Sequence, residues 1–421
     1  MYTKKTLPNG LRILLVPQQN SLASTMLVLV SAGSEYETKK TNGLSHFLEH
    51  MVFKGTTNRP NAGMISNELD ALGAEYNAFT SQEYTGYWAK AQGHKIDQLI
   101  DIISDLYLNP TFNEQEIEKE RGVIIEEINM YEDTPMRRVH ELLSELLYGD
   151  QPAGWDIAGK KEIIRKLTRN DFVKYRGERY VAPGTVVVVA GKFNPQKVEA
   201  RIRGLFSGLS KKRAAAKPKT AIRQKKPVAL VKFKESDQTH LAVGVRAFDT
   251  FDERRYALQV LADVVGGGMS SRLFHRVRDE LGAAYYVRAG VESFLDHGYL
   301  TVSAGSDNKR ANLVLKVIIE ELAKLAKDLV PQAELRKAKD HMIGGLILSL
   351  ETSDEMAGFY GGQEVLTNKI ATPEDLVKRV ERVTAEEIRK IARTIFKNQA
   401  LNLAVIGPYK NVKPFLPLLK F

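Results

Sequence analysis

GLSHFLEHMVFKG, residues 43–55, contains two histidines four positions apart, His46 and His50, with Glu49 directly before the second. In a helix, residues three and four positions apart lie on the same face, so these three side chains point in one direction. The apolar residues predicted to bury the other faces are Phe47, Leu48, Met51, Val52 and Phe53. The stretch therefore predicts a helix over 43–54 with one polar face, formed by these three side chains, and with its other faces buried in the core.

This polar group has the composition of a metal site. Two imidazoles at this spacing converge on one zinc ion at bond lengths of ~2.0–2.1 Å. The order H-x-x-E-H is the inverted form of the better-known zinc motif, and Glu49 would serve as general base towards a water whose pKa the metal lowers to ~7. Because the chain has no cysteine, only His, Asp and Glu can hold the metal. The structural alternative is a pair of hydrogen-bonded histidines on an ordinary helix.

A catalytic zinc site usually has three protein ligands, so one more must come from another element. EQEIEKERGVIIEEINMYED, residues 114–133, is predicted to be a helix with Glu120 and Glu127 on one face, two turns apart. We assign Glu127 as the third ligand and Glu120 as the residue that holds the geometry of the site. Spacing alone does not choose between Glu126 and Glu127. The residues predicted to anchor this helix are Ile117, Val123, Ile124 and Ile128.

Composition and charge limit the classes of protein. The chain has 421 residues, 43% of them apolar and 27% charged, as in soluble globular proteins. The N-terminus lacks the apolar region of a signal peptide, and no apolar run approaches the ~18 residues of a membrane helix. We therefore predict a cytoplasmic protein without a membrane partner.

The basic character of the chain comes mainly from one segment. The net charge is +10, and the segment KKRAAAKPKTAIRQKK, residues 211–226, contributes eight basic residues and no acid. It contains no aromatic residue on which a base could stack, so no nucleic-acid partner is expected.

The pattern of the first half recurs in the second. Segments 11–16 and 25–30 are strand-like and precede the helix at 43–54, while 230–234 and 240–247 precede a helix at 256–265. With an offset of about 213 residues, HFLEH aligns with QVLAD, so only the first copy keeps the polar set. We predict an N-terminal metal-binding domain at 1–210, a basic linker at 211–226 and a homologous C-terminal domain at 227–421. Each is predicted to be α+β, with a largely antiparallel β-sheet packed with helices.

Three segments together, HFLEHMVFKGT, NAFTSQEYTGYWAK and EKERGVIIEEI, resemble the pitrilysin/insulysin zinc metallopeptidases, the inverzincins. The likeness covers essentially the whole chain and is strongest to the branch with the β subunit of mitochondrial processing peptidase and its bacterial relatives. It implies one zinc ion per chain, held by His46, His50 and Glu127. It also implies Glu49 as catalytic base and Glu120 as supporting acid, and so favours Glu127 over Glu126.

The resemblance also implies residues that bind a peptide substrate. Asn77, Ala78 and Phe79 match the sheet edge to which the family adds its substrate as a strand. In GGGMSSRLFHRVRDELGAAYYV, residues 266–287, Arg278 and Tyr285 match the pair that orients the substrate carbonyl and stabilises the oxyanion. Without the resemblance, these two would be interpreted as a helix arginine and a core tyrosine.

Family members with four such domains in one chain close as a clamshell around a peptide, and this chain has two. The resemblance therefore implies half of a clamshell and a homodimer whose active sites are completed in trans. The implied function is a zinc metalloendopeptidase that hydrolyses peptides, or unfolded and presequence-like segments, inside a closed chamber. The alternative is a non-catalytic scaffold or presequence-binding subunit of the same fold.

Overall fold

The computed structural model describes residues 2–421, which form eleven strands and fourteen α-helices. The strands are β1 (Thr3–Thr6), β2 (Arg12–Pro17), β3 (Ala23–Val30), β4 (Glu75–Thr80), β5 (Thr85–Gln92), β6 (Thr185–Gly191), β7 (Val228–Phe233), β8 (Gln238–Arg246), β9 (Ala284–Ser293), β10 (Gly298–Asp307) and β11 (Asn402–Gly407). The helices are α1 (Leu44–Val52), α2 (Ala62–Ala71), α3 (Ile96–Leu108), α4 (Glu114–Glu132), α5 (Pro135–Tyr148), α6 (Lys161–Ile164), α7 (Arg169–Arg179), α8 (Pro195–Phe206), α9 (Arg254–Gly266), α10 (Ala311–Lys327), α11 (Gln332–Leu348), α12 (Ser353–Thr367), α13 (Pro373–Arg382) and α14 (Ala385–Ile395). Within these residues, every helix is too short or too polar to cross a membrane.

The chain forms two compact units, each built around one sheet. The first unit comprises Met1–Asn129, Asp156–Pro218 and Ile347–Ala371, and the second comprises Met130–Trp155, Lys219–Leu346 and Thr372–Phe421. Each unit thus includes one segment from the other half of the sequence. The domain limits at 1–210 and 227–421 stay a prediction about the sequence repeat, since the compact units group the chain by contacts in space.

Both sheets are largely antiparallel. The first has the strand order β1-β2-β6-β3-β5-β4, in which only β2 and β6 run parallel. The second has the order β7-β11-β8-β10-β9, in which only β7 and β11 run parallel. The recurrence of one parallel pair in an antiparallel sheet confirms the predicted α+β class with two similar domains.

The exchanged segments each cover one face of a sheet. In the first unit, α12 packs on β3 and β6, and its Ala357, Tyr360 and Val365 join a core that includes Leu29 and Val188. In the second unit, α5 packs in the same way on β8 and β11. Each sheet therefore buries one apolar face only because the other half of the sequence supplies a helix, which the sequence repeat does not predict.

The close approach of α12 to its sheet gives a stability prediction. A methyl group added at Gly361 would lie 2.7 Å from Leu29 Cδ1 and 2.9 Å from Val188 Cγ2, so we expect Gly361→Ala to destabilise the chain by ~1–3 kcal/mol through overpacking. Gly358, on the same helix, has no described atom within 4 Å of the added methyl, so Gly358→Ala should stabilise the helix by up to ~1 kcal/mol. Thermal unfolding of the two variants measures this; equal shifts would contradict it.

Candidate metal centre

The apolar face of helix α1 is buried and fixes the position of its polar side chains. Phe47, Leu48 and Met51 are at most 1% exposed, and the Phe47 ring packs edge-on against Phe172 of α7 with centroids 4.9 Å apart. On the remaining face, the imidazole rings of His46 and His50 lie with centroids 4.8 Å apart and planes at 70°. The local i, i+4 spacing thus brings the two rings together as predicted.

Helix α4 supplies the acidic side of the site. Ile117, Ile124 and Ile128 are buried and anchor it, but the prediction that Val123 is a further anchor is wrong, because this side chain is 51% exposed. Val123 lies one position from Ile124 and so ~100° round the helix from the buried face. Glu126 is likewise exposed.

The candidate ligand atoms converge. Glu127 Oε2 lies 3.6 Å from His46 Nε2 and 3.5 Å from His50 Nε2, and the ligand atoms of all three residues lie within 4.8 Å of one another. A tetrahedral zinc ion with bonds of ~2.0–2.1 Å sets its ligand atoms ~3.3–3.4 Å apart. The two separations between Glu127 and the histidines exceed a normal N–H···O hydrogen bond and are close to this spacing. His46, His50 and Glu127 therefore fit a zinc ion in both chemistry and geometry.

Glu120 holds His50 in a defined orientation. The Nδ1 of His50 lies 2.9 Å from Glu120 Oε1, and the Lys54 ammonium lies 2.6 Å from Glu120 Oε2. Burial raises the pKa of Glu120, but the hydrogen bonds from His50 and Lys54 outweigh it and hold the pKa below its usual value. The ionised carboxylate can then accept a hydrogen bond from Nδ1–H of His50, which directs Nε2 towards the metal site.

Glu49 lies beside the ligands as a partly buried carboxylate. Burial raises its pKa, a hydrogen bond from Thr80 and the charge of His50 lower it, and Glu127 raises it; the net shift is upward. Among the described residues, no hydrogen-bond partner reaches its buried Oε2. A carboxylate with one oxygen oriented by Thr80 and a raised pKa can take up a proton near the ligand atoms.

The predicted substrate edge is next to this helix. Strand β4 is the last strand of its sheet and packs against α1. It contains Asn77, Ala78 and Phe79, and the N–H of Ala78 donates to the side-chain Oδ1 of Asn77 at 2.9 Å. An edge strand carries main-chain groups that an added strand can pair with.

Arg278 and Tyr285 belong to the second unit. Arg278 lies in a π-helical segment, Phe274–Glu280, and its guanidinium donates to the main-chain carbonyl of Tyr285 in β9. The Tyr285 side chain is 59% exposed, so its interpretation as a core tyrosine is wrong. The arginine and the tyrosine are thus neighbours in space as well as in sequence.

Two family models match consecutive parts of the chain. The model of insulinase, peptidase family M16, matches residues 12–161, and that of the peptidase M16 inactive domain matches residues 166–342. The chain belongs to peptidase family M16. This membership confirms the resemblance found in the sequence, and the inactive-domain match agrees with the lack of the histidine motif in the second half.

Relatives of this M16 chain carry similar names. An uncharacterised zinc protease of Bacillus subtilis (strain 168) is 35% identical over 98% of this chain and 100% of its own length. An uncharacterised zinc protease of Mycobacterium leprae (strain TN) is 34% identical over 97% of this chain and 92% of its own length.

Solved structures share the fold over nearly the whole length. A protease from Helicobacter pylori aligns with a TM-score of 0.91 and 26% identity, covering 97% of this chain and 99% of that one. A peptidase M16 inactive domain from Pseudomonas fluorescens aligns with a TM-score of 0.89, covering 97% and 98%; at 19% identity it shows the fold alone.

Glu37 is a residue of this M16 site that sequence analysis missed. Its carboxylate accepts the N–H of Ser45 (2.6 Å), the N–H of Gly43 (2.8 Å) and the side-chain amide of Asn42 (3.1 Å). Gly43 occupies the N-cap position of α1 with φ of 95° and has no side chain with which to cap the helix. Glu37 therefore caps α1 although it lies outside this helix. Its spacing is not that of a capping box, so the sequence does not predict this cap.

Burial raises the pKa of Glu37 to about 7 from an ordinary 4.5, even though the N–H donors of Ser45 and Gly43 lower it. A raised carboxyl pKa means that the folded state binds the proton more tightly. The resulting stabilisation is complete below pH 4.5 and is lost as the pH rises through 7. This loss amounts to about 3 kcal/mol.

We therefore expect the wild type to lose stability relative to Glu37→Gln between pH 5 and pH 8, since glutamine cannot titrate. Thermal unfolding across this range measures the difference. Parallel pH profiles for the two proteins would contradict the assignment.

Proposed function

We propose that this M16 family member is a zinc-dependent metalloendopeptidase. The observation that carries the proposal is the convergence of His46 Nε2, His50 Nε2 and Glu127 Oε2 at separations suited to one zinc ion. A zinc ion held there supplies Lewis acidity, which polarises a peptide carbonyl and lowers the pKa of a water. Family membership and relatives named zinc proteases support the same assignment.

Glu49 performs the proton transfers. Its Oε2 is buried and burial raises its pKa above the ordinary value, which makes it a better proton acceptor towards the attacking water. The same carboxyl group then donates the proton to the leaving amine. Thr80 orients Glu49 through its hydroxyl, while Glu120 keeps His50 in the tautomer that binds metal.

The substrate is a peptide in extended conformation. It adds to the edge of β4 at Asn77, Ala78 and Phe79, where main-chain pairing gives affinity with little demand on sequence. The hydrogen bond from the Ala78 N–H to Asn77 is local and exposed, so a bound strand can replace it. Such binding suits unfolded or presequence-like segments, which enter a closed chamber that folded proteins do not.

Arg278 and Tyr285 orient the substrate carbonyl and stabilise the oxyanion. Tyr285 is exposed, as this role requires. The site is completed in trans within a homodimer, where each zinc site receives the pair from the other copy. A non-catalytic scaffold role, the alternative, would not need the ligand set or Glu49, and this chain keeps both.

Substitution of the three acids separates metal binding from catalysis. Glu49→Gln should keep about one zinc per chain but lower kcat by ~10²–10⁴ on a quenched fluorescent peptide, because the general base is lost. Glu127→Gln should lose both zinc and activity. Glu126→Gln, exposed on the same helix, is the matched control and should keep both. A wild type that binds no zinc would overturn the proposed function; one that binds zinc but cuts nothing would favour a subunit that needs a partner.

Complementation tests the shared site. Glu49→Gln and Arg278→Ala should each be inactive as homodimers, but their mixture should recover about a quarter of wild-type activity, since half of the dimers would be mixed and each would have one intact site. Mixing Glu49→Gln with Glu127→Gln is the control, because both changes affect the same zinc site and no intact site can form. Equal activities of the two mixtures would argue against completion in trans.

A further inference from the structure

One lysine of the basic linker differs from the rest. Seven of the eight basic residues in 211–226 are exposed, whereas the Lys217 side chain is only 7% exposed. Its ammonium contacts the carboxylates of Glu35 and Glu83, at 2.7 Å in the case of Glu83, and these side chains are 2% and 3% exposed. The exposed charges are those expected of a soluble, flexible linker. A linker of that kind does not require Lys217 to be buried in the first unit.

The two carboxylates come from different parts of the first unit. Glu35 lies in the 3₁₀ turn Ser34–Tyr36, and Glu83 lies in the turn between β4 and β5. The main chains of these turns also touch: the N–H of Glu35 donates to the carbonyl of Gln82 at 2.8 Å, and that of Ser34 to the carbonyl of Ser81 at 3.2 Å. Lys217 therefore bridges two turns that are already packed together.

Each turn leads directly to part of the proposed active site. The 3₁₀ turn ends at Glu37, whose carboxylate caps α1, the helix of His46 and His50. The other turn follows β4, the proposed substrate edge, and Thr80, which hydrogen-bonds Glu49. The contact that Lys217 bridges therefore connects the segment that caps α1 to the end of the proposed substrate strand.

The linker is fixed at a second point beside this lysine. The guanidinium of Arg179, in α7, donates to the carbonyl of Ala215 and also to the carbonyl of Tyr36 at 3.3 Å. Arg179 also lies over the Tyr36 ring, 5.0 Å from its centroid. The linker is therefore attached to the same 3₁₀ turn by a main-chain and a side-chain contact.

We propose that Lys217 is a positioning residue for the active site, through which the linker holds the cap of the zinc helix and the end of the substrate strand together. The proposal rests on the proposed function. Removing the ammonium takes away the cation that contacts both buried carboxylates, which then repel each other more strongly. The two turns then separate, Glu37 shifts away from α1, and the imidazoles lose their alignment with Glu127.

The test uses Lys217→Met, which keeps the aliphatic length and removes the charge, and Lys212→Met, the same change at an exposed linker lysine, as its matched control. Glu83→Gln is the second variant. It removes the ion pair with the β4–β5 turn and keeps the contact of Lys217 with Glu35, so no buried carboxylate loses its contact with the lysine. Zinc affinity is measured by competition with a chelating dye, kcat and KM with a fluorescent peptide, and folding by circular dichroism and thermal unfolding.

We expect zinc affinity to fall about tenfold or more in Lys217→Met and in Glu83→Gln, as for the loss of a residue that orients metal ligands, with a lower kcat in chains that remain folded at the assay temperature. Lys217→Arg should restore much of the affinity, and Lys212→Met should match the wild type.

The proposal is overturned if Lys217→Met and Glu83→Gln bind zinc and cut peptide as Lys212→Met does. If Lys217→Met does not fold, the zinc affinity and activity of Glu83→Gln alone test the proposal. A wild type that binds no zinc would instead count against the proposed function, so the two failures are distinguishable.

Discussion

The candidate site depends on keeping α1 and α4 at one fixed separation, because three ligand atoms on two helices must stay within a few tenths of an ångström of their spacing. Apolar anchors set this separation. Phe47 and Leu48 are buried on the inner face of α1, and Ile117 and Ile124 on the inner face of α4. Close packing makes such a base stiff, since any shift of a helix opens a void or causes a clash.

Charge is buried around this base in matched groups. Glu37 accepts N–H donors at the start of α1, Glu120 is held between His50 and Lys54, and the Lys217 ammonium contacts Glu35 and Glu83. Burying an unpaired carboxylate costs several kcal/mol, whereas a paired and hydrogen-bonded one is tolerated. Such groups contribute little net stability, but they resist displacement strongly. They therefore suit a site whose function depends on geometry.

The second unit shows how the same scaffold is built where the histidine motif is missing. Asp263 on α9, which aligns with His50, lies with its carboxylate 2.8 Å from Nδ1 of His341 on α11. In the second unit, one direct hydrogen bond thus joins α9 and α11. In the first unit, the candidate ligand atoms of α1 and α4 lie 3.5 and 3.6 Å apart. Both units keep a largely antiparallel sheet with one parallel pair, so the fold does not require the histidine motif. The polar set of the first unit is therefore not a requirement of the fold.

The sequence by itself determined the α+β class with two similar domains, and it predicted the residues of the candidate metal centre. These rest on local periodicity: spacings of three, four and seven residues specify a helical face whatever the tertiary context. Only the tertiary structure decided the exchange of α5 and α12, the capping of α1 by Glu37 and the burial of Lys217. Each of these joins segments without a periodic relation, as Lys217 and Glu35, 182 positions apart, illustrate. The exposure of Val123 is a separate matter: it lies ~100° round α4 from the face of Ile124, so helix periodicity itself argues against its burial.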